Sequence, residues 1–170
     1  TLFPPTEKAH VTVAMLNLLN SDERRRAGER LKKEMDEWRA KHSANALKAE
    51  VKGLSIMNDD EKDVNVLFAS IHSDEMQELA NKLRDAFAEE GLLGRKEEGD
   101  VKLHLTLMNS RYAAKASGAR RESFNAQALL CTYRDFAFAN VDMNRVSICL
   151  LDTQTTTDKY YETLADEMLE

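Results

Sequence analysis

Cysteine is scarce: Cys131 and Cys149 are the only two in 170 residues. Two thiols so irregularly placed cannot build a disulfide framework or a zinc site. They favour a reducing compartment, with both read as small buried hydrophobes. No apolar run approaches the ~18 residues of a membrane-spanning helix. The chain also opens without the charged and apolar stretches of a secretory leader, so a soluble intracellular protein is expected. Positive charge is not in excess either. The 24 Lys and Arg stand against 30 Asp and Glu, a net charge of −6. That balance excludes general adhesion to nucleic acid or to an acidic membrane, and any RNA contact must be local. Low-complexity sequence is confined to residues 153–157.

With 42% hydrophobic and 32% charged residues, the composition is globular. The length suits one domain, or two closely fused lobes, with a proper core. Two stretches read almost alike: residues 8–15, Lys-Ala-His-Val-Thr-Val-Ala-Met, and residues 102–109, Lys-Leu-His-Leu-Thr-Leu-Met-Asn. Each alternates polar and apolar side chains, the period-two signature of a strand with one buried face. Lys8, His10 and Thr12 therefore share a face, as do Lys102, His104 and Thr106. Val11 and Val13, and Leu103, Leu105 and Leu107, turn to a core.

Such a pair suits attack on a phosphodiester. A neutral imidazole takes a proton while a second, protonated one gives a proton to the departing oxygen. A threonine hydroxyl two residues along the strand, about 6.5 Å away, can hold a non-bridging phosphate oxygen. The arrangement needs no metal. Lys8 and Lys102 either reach the same phosphate or face solvent at the start of each strand.

Along the chain, residues 8–19 are expected as the first strand. Asn20 or Ser21 caps a helix whose face carries Ala27, Leu31, Met35 and Trp38. The basic residues Arg24, Arg25, Arg26, Arg30, Lys32 and Lys33 resemble a nuclear address, but six interleaved acids make a solvated helix face the better reading. Residues 47–57 and 64–71 read as a hairpin. Their connection, Asn-Asp-Asp-Glu-Lys-Asp at 58–63, lacks calcium-loop spacing and reads as a turn. His42 and His72 lack the following threonine and are assigned surface or capping roles. Ser73 or Asp74 caps a second helix with Met76, Leu79, Ala80, Leu83 and Phe87 inward and Gly91 past its end. Residues 109–121 carry Arg111, Lys115, Arg120 and Arg121 with no acid. They are read as a loop that either closes over a phosphate chain, with Arg111 and Tyr112 nearest, or is simply mobile and solvated. A short helix is expected over 124–133 and strands over 136–138 and 146–151. A last helix capped by Thr157 or Asp158 is expected to turn Tyr161, Leu164, Ala165 and Met168 inward. Helices following hairpins point to an α+β fold with antiparallel sheets covered on one side.

The paired His-x-Thr-x segments, with Gly-Leu-Ser-Ile-Met-Asn-Asp-Asp at 53–60 and Glu-Ser-Phe at 122–124, resemble the 2H (two-histidine) phosphoesterase superfamily. Within it they are similar to the phosphoesterase domains of the activating-signal-cointegrator-complex and A-kinase-anchoring-protein-7 nuclear-localisation-signal types. The likeness covers roughly residues 8–150. It implies a bilobal α+β domain over 1–170, one motif in each lobe, two antiparallel sheets lining a central cleft, and helices outside. It further implies that His10 and His104 are acid and base, and that Thr12 and Thr106 hold the phosphate. Lys8, Lys102, Arg111 and Tyr112 are then the candidate substrate-binding residues, with no cofactor and no metal. Relatives place another strand and helix before the first motif, and some carry an RNA-binding KH domain upstream. On that comparison this chain is expected to lack those parts and to differ at its carboxyl end, where relatives finish on a strand. The implied function is hydrolysis or binding of RNA-type phosphodiesters (cyclic phosphate, 2′,5′ linkage or RNA end) by a subunit of a coactivator and alkylation-repair complex. Its place is the nucleus, with the cytoplasm as a further location. The alternatives are a non-catalytic RNA or nucleotide-binding module of that complex and a pure protein adaptor.

Overall fold

The computed structural model describes residues 1–42, 45–95, 98–151, 153, 155 and 158–169. Among them, four α-helices and six strands form a four-stranded and a two-stranded antiparallel arrangement, an α+β protein. The chain divides into two compact units. The first comprises Thr1–Val11, Glu50–His72 and Leu103–Asn140; the second comprises Thr12–Ala49, Ser73–Lys102 and Val141–Glu170.

In the second unit, α1 (Ser21–Lys41) begins where the Asn20 side chain accepts the Glu23 N–H at 2.9 Å. Ala27, Leu31, Met35 and Trp38 are buried at the three- and four-residue spacing of one helix face. Trp38 stacks on His42 at 3.7 Å, and His42 caps the helix end, its Nδ1 donating to the Trp38 carbonyl. α2 (Asp74–Glu89) is capped by Ser73 and buries Met76, Leu79, Ala80, Leu83 and Phe87. Gly91, past its end, takes a left-handed φ of 70°. The basic run of α1 is mostly exposed and paired, Arg25 with Asp22 and Glu29 and Lys32 with Asp36. Arg30 departs from the solvated reading: with Lys82 of α2 it holds the buried carboxylate of Glu34, 4% exposed, between the two helices.

β5 (Arg145–Cys149) pairs with β6 (Thr163–Met168), which packs on α1. The helix expected near the carboxyl end is therefore a strand. The spacing of Tyr161, Leu164, Ala165 and Met168 fits a helical stripe, yet a five-pair ladder with β5 outweighs it. Thr157, its expected cap, lies outside the described residues.

The four-stranded sheet, whose residues fall mostly in the first unit, comprises β1 (Leu47–Ile56), β2 (Val66–His72), β3 (His104–Asn109) and β4 (Ala137–Met143), ordered β3-β2-β1-β4. Val51, Leu54, Leu67, Phe68, Ala69, Ile71 and Leu103 are among the first unit's buried apolar side chains. The 58–63 connection is a turn in which Asn58 Nδ2 donates to the carbonyls of Asp60 and Asp63. Residues 8–19 are not a strand. A 3-10 turn, Thr6–Lys8, precedes an extended run that meets neighbours at two single bridges, Val11 with Leu105 and Leu16 with Leu93. Alternation makes the backbone extended, but only a neighbouring ladder makes a strand. The 109–121 segment is not a loop: α3 (Ser110–Ser117) opens on the Asn109 side chain and stops at Gly118, φ 67°. The next helix, α4 (Gln127–Tyr133), starts three residues later than expected because Phe124 bridges to Val64. Cys131 is exposed on it, contrary to the buried reading, and Cys149 is half-buried.

Gly53 sits at a bulge in β1 between Lys52 and Leu54, with φ 76°. Its N–H donates to the Phe136 carbonyl, and an added Cβ would lie 2.5 Å from the Arg134 carbonyl oxygen. Gly53→Ala is expected to lower stability by about 2 kcal/mol or more in thermal unfolding. Burial opposes ionisation of Glu34, but hydrogen bonds from Lys82 and Arg30 outweigh it and hold the carboxyl below the ordinary carboxylate range. A depressed value means that its contribution is complete above the ordinary range and is lost as pH falls through the lowered one. Glu34→Gln should therefore cost about 2–4 kcal/mol in urea unfolding at neutral pH. It should also flatten the loss of stability that the unsubstituted protein shows on acidification.

Candidate functional site

β3 carries the second motif, and its register decides which groups accompany it. Paired to β2, His104 lies opposite Ser70 and Thr106 opposite Phe68, while Leu105 lies opposite Ala69. Directly opposed residues share a face. His104, Thr106, Ser70 and Phe68 therefore stand on one face, and Leu105 and Ala69 on the other. On the far side of β3, Val11 bridges antiparallel to Leu105. One step away from that bridge, the register sets His10 alongside Thr106. The two histidines thus come from adjacent extended segments of a single unit, although 94 positions separate them in the chain. His10, His104 and Thr106 fall in the first unit, and the boundary with the second passes through the first motif, between Val11 and Thr12.

His10 is exposed and His104 half-buried. The His10 Nδ1 lies 2.7 Å from the Lys8 carbonyl oxygen. A carbonyl only accepts, so Nδ1 carries the hydrogen, and in the neutral ring Nε2 holds the lone pair. The His104 ring meets the Phe68 ring edge-on at 5.2 Å. Phe68 is 1% exposed, so a rigid aromatic surface sets the orientation of that imidazole. This arrangement offers two imidazoles and a hydroxyl toward one side of a sheet, a set suited to proton transfer about a phosphate.

The remaining sequence candidates are distributed differently. Thr12 is half-buried, follows the bridged Val11 in the chain and opens the second unit. Lys8 is half-buried at the end of the 3-10 turn, and its backbone carbonyl fixes the His10 tautomer. Lys102 is exposed and ends the second unit's middle segment. Arg111 is exposed in the first turn of α3, where its N–H donates to Asn109 Oδ1, and Tyr112 is half-buried beside it. Arg121 turns back to hold the base of that helix, donating to Ser110 Oγ at 2.7 Å and Asn109 Oδ1 at 3.1 Å. Ser110 itself is buried and bonded to Asn65. Among the described residues, no three His, Cys, Asp or Glu side chains are gathered as metal ligands.

Sequence reasoning missed Ser70, Lys52 and Phe68. Lys52 pairs with Ser70, which pairs with His104, so a row of three crosses β1, β2 and β3. The alternation of β2 held a partial signal, with Phe68, Ser70 and His72 on one side, but only the register connects them to His104.

The chain is similar to curated proteins of mouse and fission yeast. Activating signal cointegrator 1 complex subunit 1 of Mus musculus is 32% identical over 168 residues, covering 87% of this chain and 47% of that protein. The chain thus spans about half the length of that relative. An uncharacterized protein of Schizosaccharomyces pombe (strain 972 / ATCC 24843) is 28% identical over 159 residues, covering 92% of this chain and 75% of that one. The family model of the AKAP7 2′5′ RNA ligase-like domain matches residues 1–169. With that match, and with both His-x-Thr-x segments in an α+β frame, the chain belongs to the AKAP7 2′5′ RNA ligase-like family of 2H phosphoesterase-like domains.

Proposed function

We propose that the domain is a metal-independent phosphodiesterase of RNA-type substrates: a cyclic phosphate, a 2′,5′ linkage or an RNA end. The observation that carries this reading is the setting of His10 beside Thr106 on the segment bridged to the His104 strand. One imidazole removes a proton from water as its oxygen bonds to phosphorus. The other delivers a proton to the sugar oxygen as the old phosphorus–oxygen bond breaks, so the pair exchanges roles without net proton gain. The Thr106 hydroxyl donates to a non-bridging oxygen, where charge builds. By the motif, Thr12 is assigned the same work. The substrate's orientation decides which histidine is the base. Lys8, Lys102, Arg111 and Tyr112 remain candidates for contacts to the rest of the substrate. By likeness to a complex subunit, we place the protein in a nuclear coactivator and repair assembly.

The test is product formation from 2′,3′-cyclic and 2′,5′-linked oligonucleotides with a chelator present. His10→Ala and His104→Ala should each lower kcat by roughly 10³-fold or more while leaving substrate binding within a few-fold. The rate should have two limbs in pH, one for the base and one for the acid. Thr106→Val should reduce kcat more than it raises KM. Turnover that survives both histidine substitutions, or that vanishes with the chelator, sinks the mechanism. Tight binding without product across the panel would instead favour a nucleotide-holding module.

A further inference from the structure

The Lys52–Ser70–His104 row carries a consequence for substrate size. Neighbouring strands are about 4.8 Å apart, so the Lys52 backbone stands roughly 10 Å across the sheet from His104, with Ser70 between them. Lys52 and Ser70 are both half-buried. Among the described residues, neither Lys52 Nζ nor Ser70 Oγ has a hydrogen-bond or ion-pair partner. Among the described residues, the half-buried or buried cations Arg26, Arg30, Arg39, Lys82 and Arg84 each meet a carboxylate, whereas Lys52 meets none. Glu50, on the same face two residues before Lys52, stands opposite His72 and makes no ion pair with Lys52. A lysine without a counter-charge gains a charge-assisted hydrogen bond from an incoming anion. The flexible four-carbon stem lets Lys52 reach an anion at some distance from its own strand. Net charge also permits the approach: the first unit has eight Lys and Arg against eight Asp and Glu, whereas the second has sixteen against twenty-two.

We infer that Ser70 and Lys52 form a second phosphate subsite, so that the site takes a substrate with a further phosphodiester beyond the one between the histidines. The inference rests on the phosphodiester reading for what occupies the histidine end. Its own claim is narrower: oligonucleotides are preferred over mononucleotides, and Lys52 is a specificity-determining residue and not a catalytic one. Ser70 Oγ, next to Lys52 in the row, donates to the second phosphate.

The experiment compares adenosine 2′,3′-cyclic phosphate, which has one phosphate, with the dinucleotide adenylyl-adenosine 2′,3′-cyclic phosphate, which has two. Binding and turnover are both measured, over a series of salt concentrations. The unsubstituted protein should bind the dinucleotide more tightly. Lys52→Ala should weaken dinucleotide binding roughly tenfold, the effect of one charge-assisted hydrogen bond, and leave the mononucleotide within about twofold. It should also reduce the salt slope for the dinucleotide by about 0.7, one phosphate contact on a single strand. Lys52→Arg should restore most of the difference, and Ser70→Ala should give a smaller selective loss. Equal effects on both ligands, no effect on either, or no preference for the dinucleotide overturns the subsite. If dinucleotide binding depends on Lys52 while no ligand is turned over, the subsite stands and the catalytic reading fails. If turnover is lost in His104→Ala but Lys52→Ala changes nothing selectively, the reverse holds.

Discussion

The pleat of β3 is the constraint on which the first unit depends. It is hydrogen-bonded to β2 along one side and bridged at Leu105 to Val11 on the other, so the face of each of its side chains is fixed by two neighbours. The same few residues thereby serve the sheet's two faces, Leu105 turned with Ala69 and His104 and Thr106 turned the other way. A slip of one residue would send His104 to the apolar side and Leu105 to the polar one. Packing and chemistry are thus coupled through register, and the bulges at Gly53 and Leu67 are what keep the rows in phase.

Charge is handled differently in the two units. In the second, the many acids and bases of α1 and α2 are spent on one another, from the exposed Arg25 pairs to the buried Glu34 held by Arg30 and Lys82. Exposed pairs of this kind contribute little each, while the buried one costs heavily when broken. In the first unit, Arg121 is turned to backbone and hydroxyl oxygens at the base of α3, and Lys52 is left unpaired on the site's own face. The first unit is thus electrically neutral with a few local cations, within a chain whose net charge is −6.

Much of this was legible in the residues, for reasons that differ by element. α1 and α2 announce themselves through Asn20 and Ser73 as caps and through apolar residues at helical spacing. β1 and β2 do so through alternation about an acidic turn. For α3 the signals were present, Asn109 before it, Ala113, Ala114 and Ala116 within it and Gly118 after it, but the run of basic residues reads first as a loop. β6 was illegible because a helical stripe and a half-buried strand share the spacing of Leu164, Ala165 and Met168, and only the β5 ladder decides. Of the candidate site, the histidines and threonines could be read from the motif alone. Ser70 and Lys52 could not, because membership in a cross-strand row is a property of pairing, and local composition does not encode it.

The two histidines are held by unlike means, and this bears on how the candidate site is organised. His104 sits in a regular ladder and against a buried ring, so its position is tied to the cooperative core of the sheet. His10 sits on a segment joined to β3 by the Val11 bridge and by the Asn109 N–H bonded to the Leu2 carbonyl, with the ring itself fastened to the Lys8 carbonyl. Segments with few ladder bonds open at lower free energy than core strands. The first imidazole is fastened to its own backbone turn at Lys8, and the second lies against the buried Phe68 ring. Acid and base must be aligned together for an in-line displacement, since a misplacement of about 1 Å costs on the order of a hundredfold in rate. The Thr6–Lys8 turn is then as much a part of the candidate catalytic apparatus as the ring it anchors.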